Sequence, residues 1–484
     1  MNARCVMVVG TSSGAGKSWL ATALCRWYAR QGLRVAPFKA QNMSNNARVV
    51  AAADGALGEI GCAQYFQALA ARAAPEVRMN PVLLKPERDD HSQLVLLGQV
   101  HPQLTALPWR ERSPLLWPAV RDALDALRCR NDVVVIEGAG SPAEINLQDS
   151  DIVNLRVAEH AGAACLLVTD IDRGGAFAHL YGTWALLPPP QQALLRGFVL
   201  NRFRGDPALL APGPAQLEAL TGVPTVATLP MVWQHGLPEE DGVFDDRGTA
   251  PGEVRLRIAV VAWPRISNLD EFQPLKNIPG VRLRWVRTPA ELADADWVIL
   301  PGSKNTGADL RWLRAQGLAR AVVDHANAGR PVLGVCGGLQ VLGEALVDPA
   351  DIAGNAPGLG LLPLVTQFAD TKTVRRTTVR FEPLAGPWSA LSGLRVQGYE
   401  IHAGHTAQHA GMDAGCIALP QGLGWVNAQG NVLGIYLHGL FEDAGVLQAL
   451  FGAAAPTLDS VFDRLADVIE SHFATGVLPG LIAC

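Results

Sequence analysis

Short apolar runs recur along this chain, and each is followed by a stretch in which apolar positions return at helical spacing. In the first half the runs fall at 5–9, 33–38, 133–136, 164–168 and 197–200. Strands alternating with amphipathic helices predict a parallel sheet covered by helices. Around 236–254 the pattern breaks into acidic, Gly- and Pro-rich sequence, which reads as an interdomain linker. A second alternation begins at Arg257-Ile258-Ala259-Val260-Val261 and continues through runs at 297–300, 331–335 and 432–436. Residues 457–475 predict a last amphipathic helix with Leu458, Val461, Phe462, Leu465, Val468 and Ile469 on one stripe. The expectation is two consecutive α/β domains, each with a largely parallel sheet flanked by helices. They span 1–235 and 256–450, with a linker at 236–255 and a C-terminal helical extension at 451–484. No internal repeat or low-complexity tract interrupts them.

Composition narrows the class. A chain of 484 residues exceeds one core, and 49% hydrophobic against 18% charged residues argues against disorder. A net charge of −5 leaves no basic footprint for nucleic acid or an anionic membrane surface. No apolar run reaches the roughly 18 residues of a membrane span. The phosphate-loop strand begins by Cys5, so a cleaved signal peptide is not expected. The eight cysteines form no Cys-x-x-Cys pair, as in a reduced, cytoplasmic protein. Lysine occurs only at 17, 39, 85, 276, 304 and 372, while the other basic residues are arginine. A lysine kept against that bias points to a compact charge that arginine cannot replace.

The first candidate site follows the first strand. Gly10-Thr11-Ser12-Ser13-Gly14-Ala15-Gly16-Lys17-Ser18 leads at once into a helical stretch. Backbone N–H groups of such a turn and the helix N-terminus face phosphate, Lys17 reaches the terminal phosphates, and the Ser18 hydroxyl ligates Mg²⁺. Gly10 lies six residues before Gly16, one more than the usual spacing, and Thr11 stands where glycine is common. Glu137, Asp170 and Asn201 end later strands, and parallel sheets bind ligands at those ends. Glu137 is the expected second metal contact, with Asp54 a weaker candidate.

The second candidate is Gly334-Val335-Cys336-Gly337-Gly338, an apolar strand ending at a cysteine from which a helix starts. This is the thiol form of a nucleophile elbow. A thiolate nucleophile needs a base. His438 ends the strand at 432–436 and is favoured over His402 and His405. The segment Leu300-Pro301-Gly302-Ser303-Lys304-Asn305-Thr306 also follows a strand. With Gly337, its Gly302 and Ser303 are expected to present backbone N–H groups to an oxyanion.

The cysteine elbow with a late strand-end histidine resembles the class I glutamine amidotransferase domain. That family carries Glu two residues after the histidine, where this chain has Leu440, and Glu442 lies four away. The departure resembles the branch of cobyric acid and cobyrinic acid a,c-diamide synthases. A dyad is therefore expected, with the histidine held by a backbone carbonyl, by water, or by Glu442 or Glu400. The phosphate loop, Thr11 included, resembles that of dethiobiotin synthetase, which implies that Asn201 reads the adenine edge. Across Gly10–Ser18, Lys39–Asn46, Asp170–Gly175, Leu300–Thr306, Gly334–Gly338 and Gly398–Gly404 the chain resembles the cobyric acid synthase family from end to end. The resemblance implies a ligase that uses ATP, Mg²⁺ and glutamine to amidate four side-chain carboxylates (b, d, e and g) of adenosylcobyrinic acid a,c-diamide. It implies small-molecule partners and no prosthetic group, and it leaves the oligomeric state open. The alternatives are a,c-diamide synthase chemistry, or a non-catalytic ATP-binding regulator with a degenerate glutaminase domain.

Overall fold

The computed structural model describes residues 2–52, 55–88, 91–233, 235–238, 253–349, 354–408, 411, 416–452 and 457–483. Most of the expected linker, 239–252, lies outside them. The first sheet is six-stranded and parallel throughout, in the order Thr225–Pro230, Leu195–Phe203, Ala164–Asp170, Arg4–Gly10, Val133–Glu137, Val35–Phe38. Val6, Met7, Val8 and Val9 are fully buried because helices cover both faces, which is why the strand is apolar without alternation. Arg4–Gly10 lies between Val133–Glu137 and Ala164–Asp170, so Gly10, Glu137 and Asp170 meet at one sheet edge.

The second sheet has seven strands. Val281–Val286, Leu256–Val261, Trp297–Leu300, Val332–Val335 and Val432–Ile435 run parallel, and Gly424–Val426 and Cys416–Leu419 extend it antiparallel. Val332–Val335 is flanked by Trp297–Leu300 and Val432–Ile435. The tails of these three strands therefore bring Gly302, Cys336 and His438 to one end of the sheet.

Two antiparallel regions were not expected from the apolar pattern. Between 41 and 100 the chain forms a hairpin, Ala47–Ala51 with Leu57–Gly61, and a small sheet built on Val82–Arg88 and His91–Leu96. In the second half Leu364–Arg380 pairs with Arg395–Gln408 in a long ribbon. The ribbon strands are rich in Thr, Arg and Gln, and the shorter ones are broken by Arg, Glu, Lys or Gln, so they lack the continuous apolar signal of the parallel strands. They build the contact between the domains. Ala47, Val49, Leu83 and Val95 of the first domain share a core with Tyr399 and Ile401 of the ribbon. Arg376 Nε donates to the Val49 carbonyl at 3.0 Å.

Of the two domains, the C-terminal extension packs on the first. Helix Leu458–His472 packs on helix Lys17–Arg30 of the first, and Val461, Phe462, Leu465, Ala466 and Ile469 join the core of Leu24, Cys25 and Tyr28. Arg26, buried in that contact, pairs with Asp463 at 2.9 Å and with Asp459. Tyr28 OH donates to the Leu478 carbonyl at 2.8 Å. The phosphate-loop helix thus keeps its outer face dry by recruiting the far end of the chain. Phe462→Ala should cost about 3 kcal/mol or more. Calorimetry should show the nucleotide-side domain unfolding earlier, with the amidotransferase-side transition unmoved.

Candidate functional site

In the phosphate loop Gly14 and Gly16 take φ of 71° and 98°, which disfavours any residue with a Cβ. At Gly16 a Cβ would also stand 2.0 Å from Asn201 Nδ2. That amide donates to the Ala15 carbonyl at 2.9 Å, so Asn201 braces the loop and leaves Oδ1 as its acceptor. Thr11 pairs with the hydroxyl of Thr169 at 2.9 Å, tying the loop to the neighbouring strand. Lys17 Nζ donates to the carbonyls of Ser12 and Gly140 at 2.9 and 3.1 Å. The loop borders a cavity of about 300 Å³ lined by Gly14, Gly16, Lys17, Ser18, Lys39 and Glu137.

Glu137 is buried at that cavity wall. Its Oε1 accepts from Ser18 Oγ at 2.8 Å and Lys39 Nζ at 2.9 Å, and its Oε2 from Gln67 Nε2 at 2.5 Å. Burial would push the carboxyl up, but Lys39, Gln67 and Ser18 together hold it below the usual range. The Ser18 hydroxyl and the Glu137 carboxylate are adjacent hard oxygen donors, a set that fits Mg²⁺. Asp54, the weaker metal candidate, lies outside the described residues.

At the second site Cys336 has φ 52° and ψ −104°, a strained conformation that aims its side chain off the strand end. The flanking glycines have steric reasons. A Cβ on Gly334 would stand 2.7 Å from the Gly338 carbonyl carbon, and one on Gly338 would stand 1.9 Å from the Leu300 oxygen. At Gly337 it would meet the Ser303 nitrogen at 2.8 Å, and at Gly302 it would meet His438 Cε1 at 3.2 Å. Gly302, Ser303 and Gly337 are thus gathered beside the cysteine and the histidine.

His438 is buried near Cys336, whose thiol donates to the Ile401 carbonyl at 3.6 Å, and it turns its Nδ1 to Glu271 Oε1 at 3.0 Å. The other carboxylate oxygen of Glu271 accepts from the Gly439 backbone N–H at 3.0 Å. Burial would push the imidazole down, but Glu271 and Cys336 overrule it and raise it to about 10. The arrangement is a three-member relay, and the expected dyad is corrected on this point. Of the expected holders, Glu442 pairs with Arg48 at 2.5 Å, and Glu400 is taken by Arg375, Thr377 and His402. His402 stacks on Tyr436 with centroids 3.9 Å apart, facing Glu400. Leu440 is packed in the apolar core. Glu271 escaped sequence reasoning because it lies 167 positions before His438. Its one sequence signal is an acidic pair, Asp270-Glu271, set among apolar residues beyond a strand.

Cys336 opens onto a cavity of about 760 Å³ shared by both domains, lined also by Asn45, Glu59, Lys85, Lys304 and Lys372. Lys85 donates to Glu59 at 2.6 Å, and Lys372 pairs with the other oxygen of the same carboxylate. Burial, with Lys85 and Lys304 nearby, pushes Lys372 down to about 7 against the pull of Glu59.

A phosphate loop on one domain and a cysteine–histidine relay on the next define a glutamine-dependent carbon–nitrogen ligase. Residues 6–240 match the CobQ/CobB/MinD/ParA nucleotide binding domain, and 257–446 match the CobB/CobQ-like glutamine amidotransferase domain. The chain is 72% identical over 484 residues to the cobyric acid synthase of Variovorax paradoxus (strain S110), covering 100% of both. It is 69% identical over 490 residues to that of Polaromonas naphthalenivorans (strain CJ2), again covering 100% of both. With that of Methylibium petroleiphilum (strain ATCC BAA-1232 / LMG 22953 / PM1) it shares 64% over 495 residues, 99% of this chain and 97% of the relative. The chain belongs to the cobyric acid synthase family.

If Glu271 fixes the imidazole, Glu271→Gln should lower glutamine-dependent turnover by about 10² or more. Glu400→Gln should stay within about tenfold, under roughly 1.4 kcal/mol. The imidazole titration, followed by NMR, should fall from about 10 toward its ordinary range in Glu271→Gln.

Proposed function

We propose that this chain amidates the b, d, e and g carboxylates of adenosylcobyrinic acid a,c-diamide with ATP and glutamine, yielding cobyric acid. A carboxylate does not condense with ammonia in water, because oxide is too poor a leaving group. Its oxygen attacks the γ-phosphorus of ATP, ADP departs, and the resulting acyl phosphate is attacked by ammonia with loss of inorganic phosphate. Positioning and charge neutralisation are the protein's part in such a transfer. Lys17 and the loop N–H groups bind the phosphates, and Ser18 and Glu137 hold Mg²⁺. The bound ion supplies charge neutralisation on the phosphate oxygens. Asn201 offers its Oδ1 to the adenine amino group.

On the other domain the Cys336 sulfur attacks the glutamine carboxamide, and Gly302, Ser303 and Gly337 surround the developing oxyanion. His438, its Nδ1 held by Glu271, gives its proton to the leaving ammonia. It then takes one from the water that cleaves the thioester to glutamate. The observation that carries this reading is the shared wall between the sites. Asn42 and Met43 line the phosphate cavity, while Asn45, two residues on, lines the cavity into which Cys336 opens. Ammonia freed there has to pass this wall to reach an acyl phosphate formed beside Lys39. The described cysteines are free thiols, and among the described residues no helix is long and apolar enough to cross a membrane. Cytoplasmic work on small molecules is the setting this reading implies.

Assay of the purified protein with the a,c-diamide, ATP, Mg²⁺ and either nitrogen donor, read by mass spectrometry, tests the whole scheme. Cys336→Ala should abolish synthesis from glutamine and keep synthesis from ammonium salts. Lys17→Ala should end both, because no acyl phosphate forms. Ammonia-dependent synthesis retained by the Lys17 variant would overturn the assignment of the phosphate loop.

A further inference from the structure

We infer that Arg48, supplied by the nucleotide-binding domain, is a positioning residue for the glutamine site. It holds the segment Asn268–Glu271 so that Glu271 alone meets His438, and the relay is incomplete without the first domain. The inference rests on the glutaminase reading of Cys336 and His438 given above.

The geometry begins with a crowd of like charges. Asp270 and Glu271 are buried beside His438 and Glu442 stands partly exposed next to them, and one imidazole cannot balance three carboxylates. Arg48, on the hairpin strand Ala47–Ala51, is 1% exposed and reaches across the domain boundary into this cluster. Its Nη2 pairs with Asp270 and, at 2.5 Å, with Glu442. Two of the three carboxylates are thereby engaged, and the third is left to the histidine. Burial pushes both Asp270 and Glu442 up, and Arg48 is the largest influence opposing it in each.

The guanidinium is itself fixed. It lies 4.9 Å from the Tyr399 ring centroid and 5.3 Å from that of Phe66. Tyr399 in turn stacks on His438 at 5.3 Å. Arg48 thus touches the relay from two sides, through Asp270 beside Glu271 and through the ring that covers the imidazole.

A second set of contacts holds the same segment independently. The Ala47 N–H donates to Asn268 Oδ1 at 3.1 Å, and the Leu269 N–H donates to Asn46 Oδ1 at 3.1 Å. Asn268 Nδ2 donates to Tyr399 OH at 3.2 Å. Asn268 sits at φ 54°, a conformation that needs external support in a residue with a side chain. Three consecutive residues of the first domain, Asn46, Ala47 and Arg48, therefore clamp the turn that delivers Glu271. Nothing in the second domain supplies a cation to replace Arg48 among the described ion pairs of Asp270 and Glu442. Lysine would not serve, since a compact ammonium lacks the planar face that lies against the Tyr399 and Phe66 rings.

The test uses the full chain with Arg48→Met and Asn46→Ala, assayed with glutamine and separately with ammonium chloride. Misplacing Glu271 should lower the glutamine-dependent kcat of Arg48→Met by about 10²-fold. Ammonia-dependent synthesis should stay within about threefold of the parent, because phosphoryl transfer does not involve this cluster. The pH profile of Cys336 alkylation by iodoacetamide should shift in the same direction as in Glu271→Gln. If Arg48→Met does not fold, Asn46→Ala decides, with the same split between donors expected. A glutamine rate within about threefold of the parent, or parallel loss with both donors, overturns the inference. Cys336→Ala is run alongside: if it still uses glutamine, the glutaminase reading has failed rather than the role of Arg48.

Discussion

A carboxylate taken out of water needs a counter-charge and hydrogen bonds close at hand, and this constraint organises both sites. An ion left alone in the interior costs several kcal/mol even after relaxation. Glu137 and Glu271 are each buried, and each has both oxygens engaged. For Glu137 the partners come from the phosphate-loop helix, the strand end at Lys39, and helix Cys62–Ala70. For Glu271 they are the base and the backbone that follows it. Each site is stable only when elements distant in sequence have docked, which makes folding and assembly of the catalytic groups the same event.

The parallel sheets supply the other half of the design. Helices cover both faces of a parallel sheet, so polar chemistry is confined to the strand ends. Gly10, Glu137 and Asp170 cluster there in one domain, and Gly302, Cys336 and His438 in the other. The turns leaving those strands must be abrupt, and the backbone at Gly16 and Cys336 shows the cost. Cys336 holds a left-handed φ that its neighbours enforce, since Gly334 and Gly338 admit no side chain. Strain placed at the nucleophile keeps the sulfur clear of the helix that starts beside it.

What the sequence discloses depends on whether a feature is local. The phosphate loop and the cysteine elbow are contiguous turns whose glycines, lysine and cysteine must stand at set spacings, so both are legible in a single chain. His438 is legible too, because it ends an apolar strand. Glu271 is not. It reaches the relay through tertiary packing, and in sequence its turn resembles any acidic surface loop. The antiparallel hairpin and ribbon were hidden for a related reason. Their strands carry the apolar residues of the domain contact at scattered positions among polar ones, so they show no continuous apolar run. The tail at 458–472 was legible as an amphipathic helix, but a hydrophobic stripe does not name its partner.

The lysine bias gains meaning from the same electrostatics. Lys17 and Lys39 stand at the phosphate cavity, and Lys85, Lys304 and Lys372 at the cavity of Cys336. Apart from Lys276, the chain elsewhere uses arginine, which remains charged wherever it is buried. An ammonium is small enough for two of them to share Glu59, and its charge can yield to burial, which pushes Lys372 down to about 7. Three guanidiniums in that space would have to stay ionised at full desolvation cost with one central carboxylate between them. At Arg48 the demand is the opposite. Asp270 and Glu442 both meet Nη2 of a guanidinium that lies against aromatic rings, and there the planar, always-charged group is the one that fits. The choice between the two cations thus follows the local requirement: yielding charge around Glu59, fixed charge at Asp270 and Glu442.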